Sequence, residues 1–291
     1  MQKNNSFLFY AIVYFFICIL IVPSISMAKE KILWIYVDYP PYGIVRGENK
    51  GTGILDELTD YLIKRLPHYE SEKHISNVKR LLFTLKNTES SCSCGINKTP
   101  EREKELYFSL PALIAPGVGV CTRKQLVEKI GSHKKVSLKK LLNNKQLTLG
   151  IPAARSFDPS IDPIIKEHLH SKNVYSIFGT NINTSLMKML IHKRIDYMMA
   201  RPNESTYLAK EMGKAHEIIN IPLEEASNYI LSYIACSRNK HGFEVIKQIN
   251  KILKTQRNSA EYKKLLENSI DKNYLSKFRQ RYNDFFLKTT E

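Results

Sequence analysis

The sequence predicts an α/β protein built as two successive layers of strand and helix, and three observations carry this reading. Short, continuously apolar runs such as 32–37 suit strands buried on both faces of a parallel sheet. Segments with apolar residues three and four apart follow them, as on one face of an amphipathic helix. After Pro111 and Pro116 the alternation restarts, so a second layer succeeds the first.

Ile32-Leu33-Trp34-Ile35-Tyr36-Val37 is the first strand, and it ends at Asp38-Tyr39-Pro40-Pro41-Tyr42. Gly47, Gly51 and Gly53 connect it to a helix whose Leu55, Leu58 and Leu62 share a face and which Pro67 closes. Ser76 caps a second helix carrying Val78, Leu81, Leu82 and Leu85. A short strand then runs into Cys94-Gly95-Ile96-Asn97-Lys98-Thr99-Pro100-Glu101-Arg102. Thr99 can cap the turn through its hydroxyl, while Pro100 takes the first helical position, where a missing N–H costs nothing. Arg102 is thereby planted beside a helix start, either to meet a carboxylate or to pair on the surface with Glu101 or Glu105.

In the second layer, strands are expected at 118–121, 147–151, 174–177, 195–200 and 218–221. Helices open at Ser137, Asp158-Pro159, Asn183 and Asn203, and Gly213 can end the last of them. Met187, Met189, Met198 and Met199 read as core filler. One more strand, 229–236, precedes a helical remainder. There Ile246, Ile249 and Leu253 share a face, Ser259 can cap a helix bearing Tyr262, Leu265 and Leu266, and Leu275, Phe278, Tyr282 and Phe285 stripe the last helix.

Lys3 precedes an apolar run from Phe7 to Val22, and Pro23 and Ser26-Met27-Ala28 supply a cleavage region with small residues. This pattern predicts a secretory signal peptide over 1–28 and a periplasmic location for the rest. The run is shorter than the roughly 20 residues of a membrane span, and Cys18 lacks the small neighbours of a lipoprotein signal. Lys and Arg total 44 against 28 Asp and Glu, a formal charge of +16. Lys134, Lys135, Lys139, Lys140 and the other basic residues are scattered over helix faces without aromatic interleaving, so no nucleic-acid partner is expected. Their summed field favours anionic ligands or phosphate-rich surfaces. Export permits disulfides among Cys92, Cys94, Cys121 and Cys236. Cys92-Ser93-Cys94 lacks the gap of a zinc knuckle, and the histidines of His168-Leu169-His170 point to different sides of a helix. Neither a metal nor another cofactor is expected.

The strongest motifs are Pro40-Pro41 followed by an aromatic, Gly53 through Asp56, Thr99 through Arg102, Phe108-Ser109-Leu110-Pro111 and Arg194-Ile195-Asp196. Together with the element order, from about Ile32 to Phe286, they resemble extracellular solute-binding proteins of family 3, the amino-acid-binding components of ABC transporters. The resemblance implies a two-lobed periplasmic binding protein-like type II fold, each lobe a mixed, mostly parallel sheet flanked by helices. It assigns 29–116 and 224–291 to lobe 1 and 117–223 to lobe 2. The ligand would lie between the lobes at the carboxyl ends of the strands, and closure on it would be the working motion. The strand entering the arginine motif and the strand returning from lobe 2 would be neighbours. That would bring Cys94, with Cys92 as second choice, close to Cys236 and leave Cys121 unpaired.

In such a site Arg102 would hold a ligand carboxylate on a turn fixed by Thr99. In the family, an aromatic at the position of Tyr39 stacks on the ligand; Tyr39 and Tyr42 either line the site or pack the turn beside Pro40 and Pro41. Family members usually show a Gly-Thr or Gly-Ser pair in lobe 2, where this chain has Ala154-Arg155-Ser156. Ser156 keeps a hydroxyl, while Arg155 is either an added site cation or a solvent-facing one. The acid that grips an amino group is missing after Arg194-Ile195-Asp196, and Arg201 stands at the strand's end. An arginine cannot pair with an ammonium group, which turns the expectation from a standard α-amino acid to a small anionic or carboxylated solute. Arg102, Arg155 and Arg201 either converge on it or are three unrelated surface charges.

No nucleophile elbow, zinc-protease motif or glycine-rich phosphate loop is present, so an enzyme is not expected. Asp38 is the one carboxylate that could serve an alternative, a small-acid dehydratase on the same fold. A third reading is a ligand-sensing partner of a membrane receptor. For a free-standing exported monomer, an ABC permease is the expected partner.

Overall fold

The computed structural model describes residues 29–131, 134–153, 155–179, 181–268, 270 and 275–289. The expected signal peptide, 1–28, lies outside them, as does Ala154. Lys31–Glu291 form one compact unit, which contains two sheets. In chain order the strands are β1 (Glu30–Val37), β2 (Tyr69–Ser76), β3 (Ser91–Ile96), β4 (Leu106–Phe108), β5 (Leu113–Pro116) and β6 (Gly119–Arg123). They continue as β7 (Leu149–Pro152), β8 (Val174–Ile177), β9 (Tyr197–Ala200), β10 (Ile218–Pro222) and β11 (Tyr229–Ser237).

The first sheet has the order β2-β1-β3-β11-β4, with β5 also paired to β11. β1 and β3 are parallel, whereas β11 runs antiparallel to β3, β4 and β5. In the second sheet, ordered β10-β6-β9-β7-β8, β7 is parallel to β8 and β9, while β6 is antiparallel to β9 and β10. The antiparallel ladders arise where the chain enters or returns to a sheet, a feature that strand–helix rhythm does not express. The chain passes between the sheets twice, from β5 to β6 and from β10 to β11, and the two passages touch. Gly117 N–H donates to Asn228 O at 2.8 Å, and a Cβ at Gly117 would stand 1.8 Å from Ser227 O. Glycine is required there by this close backbone approach.

The first sheet buries Trp34, Leu58, Leu62, Ile249, Leu253, Tyr262 and Phe286. The second buries Leu138, Leu149, Phe157 and Ile221 in one cluster, and Leu186, Met187, Leu190 and Met198 in another. Each such side chain contributes about 1.5–3 kcal/mol by leaving water. The methionines at 187, 198 and 199 are fully buried, as expected of core filler.

Several local expectations are corrected. Residues 69–76 form β2, an edge strand so exposed that no apolar alternation marks it. Because β2 ends at Ser76, Asn77 caps the helix Val78–Asn87 instead, its side chain accepting from Arg80 N–H at 2.9 Å. The helix expected at Asp158 begins at Asp162, whose carboxylate accepts from Phe157 N–H at 2.8 Å, and a turn over 159–161 precedes it.

The disulfide joins Cys92 to Cys236, not Cys94 to Cys236. Cys92 and Cys236 are direct partners across the β3–β11 ladder, with Cα atoms 4.1 Å apart. Ala235 lies opposite Ser93 and Cys236 opposite Cys92, so Cys94 stands two places further along β3. Cys94 and Cys121 are free and buried.

Candidate functional site

A cavity of about 430 Å³ lies at the carboxyl ends of β1, β3, β7, β8 and β9, lined from both sheets. The first sheet contributes Tyr39, Asn97 and Arg102, and the second contributes Arg155, Ser156 and Arg201. The volume suits a small organic ligand.

The first wall is fixed by short-range hydrogen bonds. Tyr39 and Gly43 exchange backbone bonds of 2.8 and 3.0 Å, and Asp56 accepts from Ile44 N–H at 2.7 Å and Gly53 N–H at 3.2 Å. This pins the Gly-rich connection behind Tyr39. Further along, Thr99 Oγ1 accepts from Arg102 N–H at 3.3 Å with Pro100 in the first helical position, as the sequence predicts. Arg102 Nη1 donates to Asn97 O at 2.9 Å and forms no ion pair among the described residues. Glu105 pairs with Lys86 instead. Burial lowers the Arg102 pKa against the opposing pull of Asp162 and Glu101. Asn97 Nδ2 reaches across to Ser156 O at 3.0 Å.

The second wall is an ion-paired cluster drawn from separate segments. Arg155 Nη1 and Nη2 donate to Glu204 Oε1 and Oε2 at 3.1 and 3.0 Å, a bidentate pair with Glu204 fully buried. Glu204 occupies the third position of the helix Pro202–Glu211, and its Oε2 also accepts from Arg201 N–H at 3.3 Å. Tyr39 Oη, from the first wall, donates to Glu204 Oε2 at 3.0 Å. It accepts in turn from Arg155 Nη2 and, at 3.2 Å, from Arg201 Nη1. Burial pushes the Tyr39 pKa up to about 12 against the pull of Arg155, so the hydroxyl remains a donor at neutral pH. For Arg155, burial works to lower the pKa, but Glu204 overrides it and raises it. The Arg155 Cζ also lies 4.7 Å from the Tyr39 ring centroid and 4.5 Å from that of Phe157. Two guanidiniums against one carboxylate leave one positive charge uncompensated within the cluster.

The structure therefore brings Tyr39, Arg155 and Arg201 together and places Arg102 on the same cavity. Arg155 is not solvent-facing: its side chain is 11 % exposed. Asp38 lines the cavity and is half-buried. Ser156 lines it too, but its hydroxyl donates to Asp162 Oδ2 at 2.6 Å. Thr99 acts through the turn and does not line the cavity. Tyr42 packs its ring 5.1 Å from that of Tyr39 and lines a second, smaller cavity.

Arg201 stands at the end of β9, and sequence reasoning missed a buried acid close by. Glu204 is there, three residues beyond Arg201, and its carboxylate is already engaged. The readable signal is Pro202 at the first helical position followed by an acid at the third, a capping-box arrangement. Asp196, immediately before β9, has a structural part: it accepts from Thr148 N–H at 2.9 Å and pairs with Arg123 at 3.1 Å.

Residues 32–272 match the family described as bacterial extracellular solute-binding proteins, family 3. A search of curated proteins finds no match. Among solved structures, a histidine kinase sensor domain with similarity to periplasmic binding proteins is 15 % identical, with a TM-score of 0.66 over 83 % of this chain and 96 % of that one. The substrate-binding protein of an amino acid ABC transporter is 18 % identical, with a TM-score of 0.63 over 82 % and 99 %. An amino acid ABC transporter substrate-binding protein from Streptococcus pneumoniae, bound to L-arginine, is 18 % identical with a TM-score of 0.62 over 83 % and 94 %. At these identities the likeness is one of fold, the two-lobed fold of periplasmic binding proteins.

Proposed function

Because the chain belongs to the bacterial extracellular solute-binding proteins, family 3, we propose that it is the periplasmic receptor of an ABC importer and captures a small carboxylated solute between its lobes. The lobes are 29–116 with 224–291, and 117–223; residues 1–28 direct export, and the protein acts as a monomer delivering solute to a permease. The observation that carries the choice of solute is the charge around the cleft. Arg46, Lys79, Arg80, Arg102, Arg155 and Arg201 line it, against Asp38 and Asp56. Asp56 is already occupied in holding Ile44 and Gly53 N–H, and Glu204 neutralises only one of the arginines.

Arg102 is the primary carboxylate contact, since among the described residues its fork is held by one backbone carbonyl and no acid. Arg201 supplies a second cation from the opposite wall, and Tyr39 covers the ligand. The similar protein from Streptococcus pneumoniae is bound to L-arginine; here a cationic ligand side chain would meet further arginines, so the preference is for acids. Binding proceeds without covalent chemistry. A ligand-sensing role beside a membrane receptor is the second reading, favoured by the likeness to a histidine kinase sensor domain.

A thermal-shift screen tests the first reading. Mono-, di- and tricarboxylates, neutral and basic amino acids and short peptides would be compared at equal concentration. A ligand at 100 times its dissociation constant adds about 2.7 kcal/mol of stability. Acids are expected to raise the melting temperature and arginine and lysine to leave it unchanged. Stabilisation by basic amino acids alone would overturn the proposal.

A further inference from the structure

At about 430 Å³ the main cavity falls in the range of roughly 300–1,000 Å³ that encloses ligands of drug size, so a carboxylate held by Arg102 fills only part of it. The remainder has a different lining. From the first sheet's side come Ile75, near the end of β2, and Leu82, on the helix Val78–Asn87. The second sheet's side supplies Ile177 and Phe178, at the end of β8, and Ile182, which opens the helix Ile182–Ile191. None of the five is fully buried, and Ile75 and Phe178 are 49 % and 75 % exposed. Apolar surface left open in a cleft marks a place that a ligand covers.

Sheet order sets how far this apolar end lies from the arginines. In the first sheet β2 stands two strands from β3, and Asn97, the residue after β3, holds Arg102 through its carbonyl. In the second sheet β8 likewise stands two strands from β9, which Arg201 follows. Neighbouring strands are about 4.7–4.9 Å apart, so each wall turns from cationic to apolar over roughly 10 Å.

Resting on the carboxylate reading above, we infer that the solute is an amphipathic monocarboxylate: its acid group meets Arg102, and an aromatic or aliphatic body extends toward the ends of β2 and β8, where Phe178 covers it. A second carboxylate at that end is disfavoured. Lys79 and Arg80 line the cavity there, but both are exposed, and a solvated cation adds little to a pairing. Burying each further methylene against Ile75, Leu82 and Phe178 should tighten binding about three- to fourfold.

Titration calorimetry on the purified protein tests this with straight-chain monocarboxylates from propionate to octanoate, the matching primary alcohols, phenylpropanoate, and the dicarboxylates succinate and glutarate. Affinity is expected to climb along the acid series, with phenylpropanoate well above propionate and the dicarboxylates no tighter than short monoacids. Phe178→Ala, at an exposed position that leaves the fold intact, should reduce the ratio of octanoate to propionate affinity roughly tenfold. Acids that bind without a chain-length gradient, a gain confined to dicarboxylates, or an unchanged ratio in Phe178→Ala would each overturn the inference while leaving the carboxylate reading standing. Alcohols that show the gradient and bind as tightly as the acids would overturn the carboxylate reading and keep the apolar end. Absence of binding in every series would overturn both.

Discussion

The two walls of the cleft carry positive charge by different routes. On the first wall Arg102 belongs to one contiguous stretch, Thr99 to Arg102, and its guanidinium is held by a single backbone carbonyl. On the second wall Arg155 is gripped at both Nη atoms by the buried carboxylate of Glu204, contributed by a helix almost fifty positions later. A cation that lines a cleft is therefore not necessarily one that meets the ligand. Donors remain open on Arg102 and Arg201, whereas Arg155 is chiefly a brace for its own wall.

The sharpest way to break this comparison is to remove the brace. Glu204→Gln leaves Arg155 buried without a counter-ion and is expected to cost about 3–5 kcal/mol in urea unfolding. A loss within about 1 kcal/mol would mean the pair behaves as a solvated one and the second wall is not preassembled. The first wall is tied by the Cys92–Cys236 bridge between β3 and β11. That bridge spans a sequence separation of 144, and Cys236→Ala is expected to cost about 2–5 kcal/mol. Non-reducing peptide mapping should recover Cys92–Cys236, and a Cys94–Cys236 fragment would contradict the β3–β11 register.

Smaller effects probe how each wall is anchored. Asp158 ties the segment after Arg155 to the returning chain, accepting from Ser160 N–H at 2.8 Å and Ser227 N–H at 3.1 Å. Burial would raise its pKa, but these hydrogen bonds outweigh it and hold the carboxyl below its ordinary value. A depressed folded pKa stabilises above the unfolded value, near 3.9, and that stability is lost as pH falls through the folded one. Asp158→Asn should thus cost about 1.5–3 kcal/mol at pH 7, with the gap to wild type closing in acid unfolding below about pH 4. A gap that stays constant to pH 2 would refute the linkage. On the first wall, burial pushes the Cys94 thiol up to about 12. Its contribution is complete below about pH 8.5 and declines as pH rises toward the folded value. Neither Cys94 nor the equally buried Cys121 should react with a thiol reagent at pH 8 until denaturant is added.

How much of each wall was legible follows from the same contrast. The Thr99 cap, Pro100 and Arg102 lie within four residues, so spacing alone predicts their geometry. The strands at 32–37, 118–121 and 229–236 were legible because they are apolar on both faces. Arg155, Arg201 and Glu204 meet only after two strands and their helices have been placed, and periodicity says nothing of that meeting. Glu204 in particular looks like an ordinary first-turn acid until the fold buries it. β2 was hidden because an exposed edge strand needs no apolar face, and the choice of Cys92 over Cys94 depended on the β3–β11 register, which carries one extra residue on β3 between Ser93 and Ile96. Local chemistry was readable, and the alignments between distant segments were not.

The central claim is that the ligand's carboxylate is held on Arg102, which forms no ion pair among the described residues, and titration calorimetry with the best acid from the screen tests it most directly. Arg102→Ala should remain folded and bind that acid roughly 30-fold or more weakly, since losing one partner of a desolvated charge pair costs about 2–5 kcal/mol. Arg102→Lys should recover only part of the affinity, because a point charge cannot reproduce the planar fork. A folded Arg102→Ala protein that binds the same acid within about threefold of wild type would contradict the account.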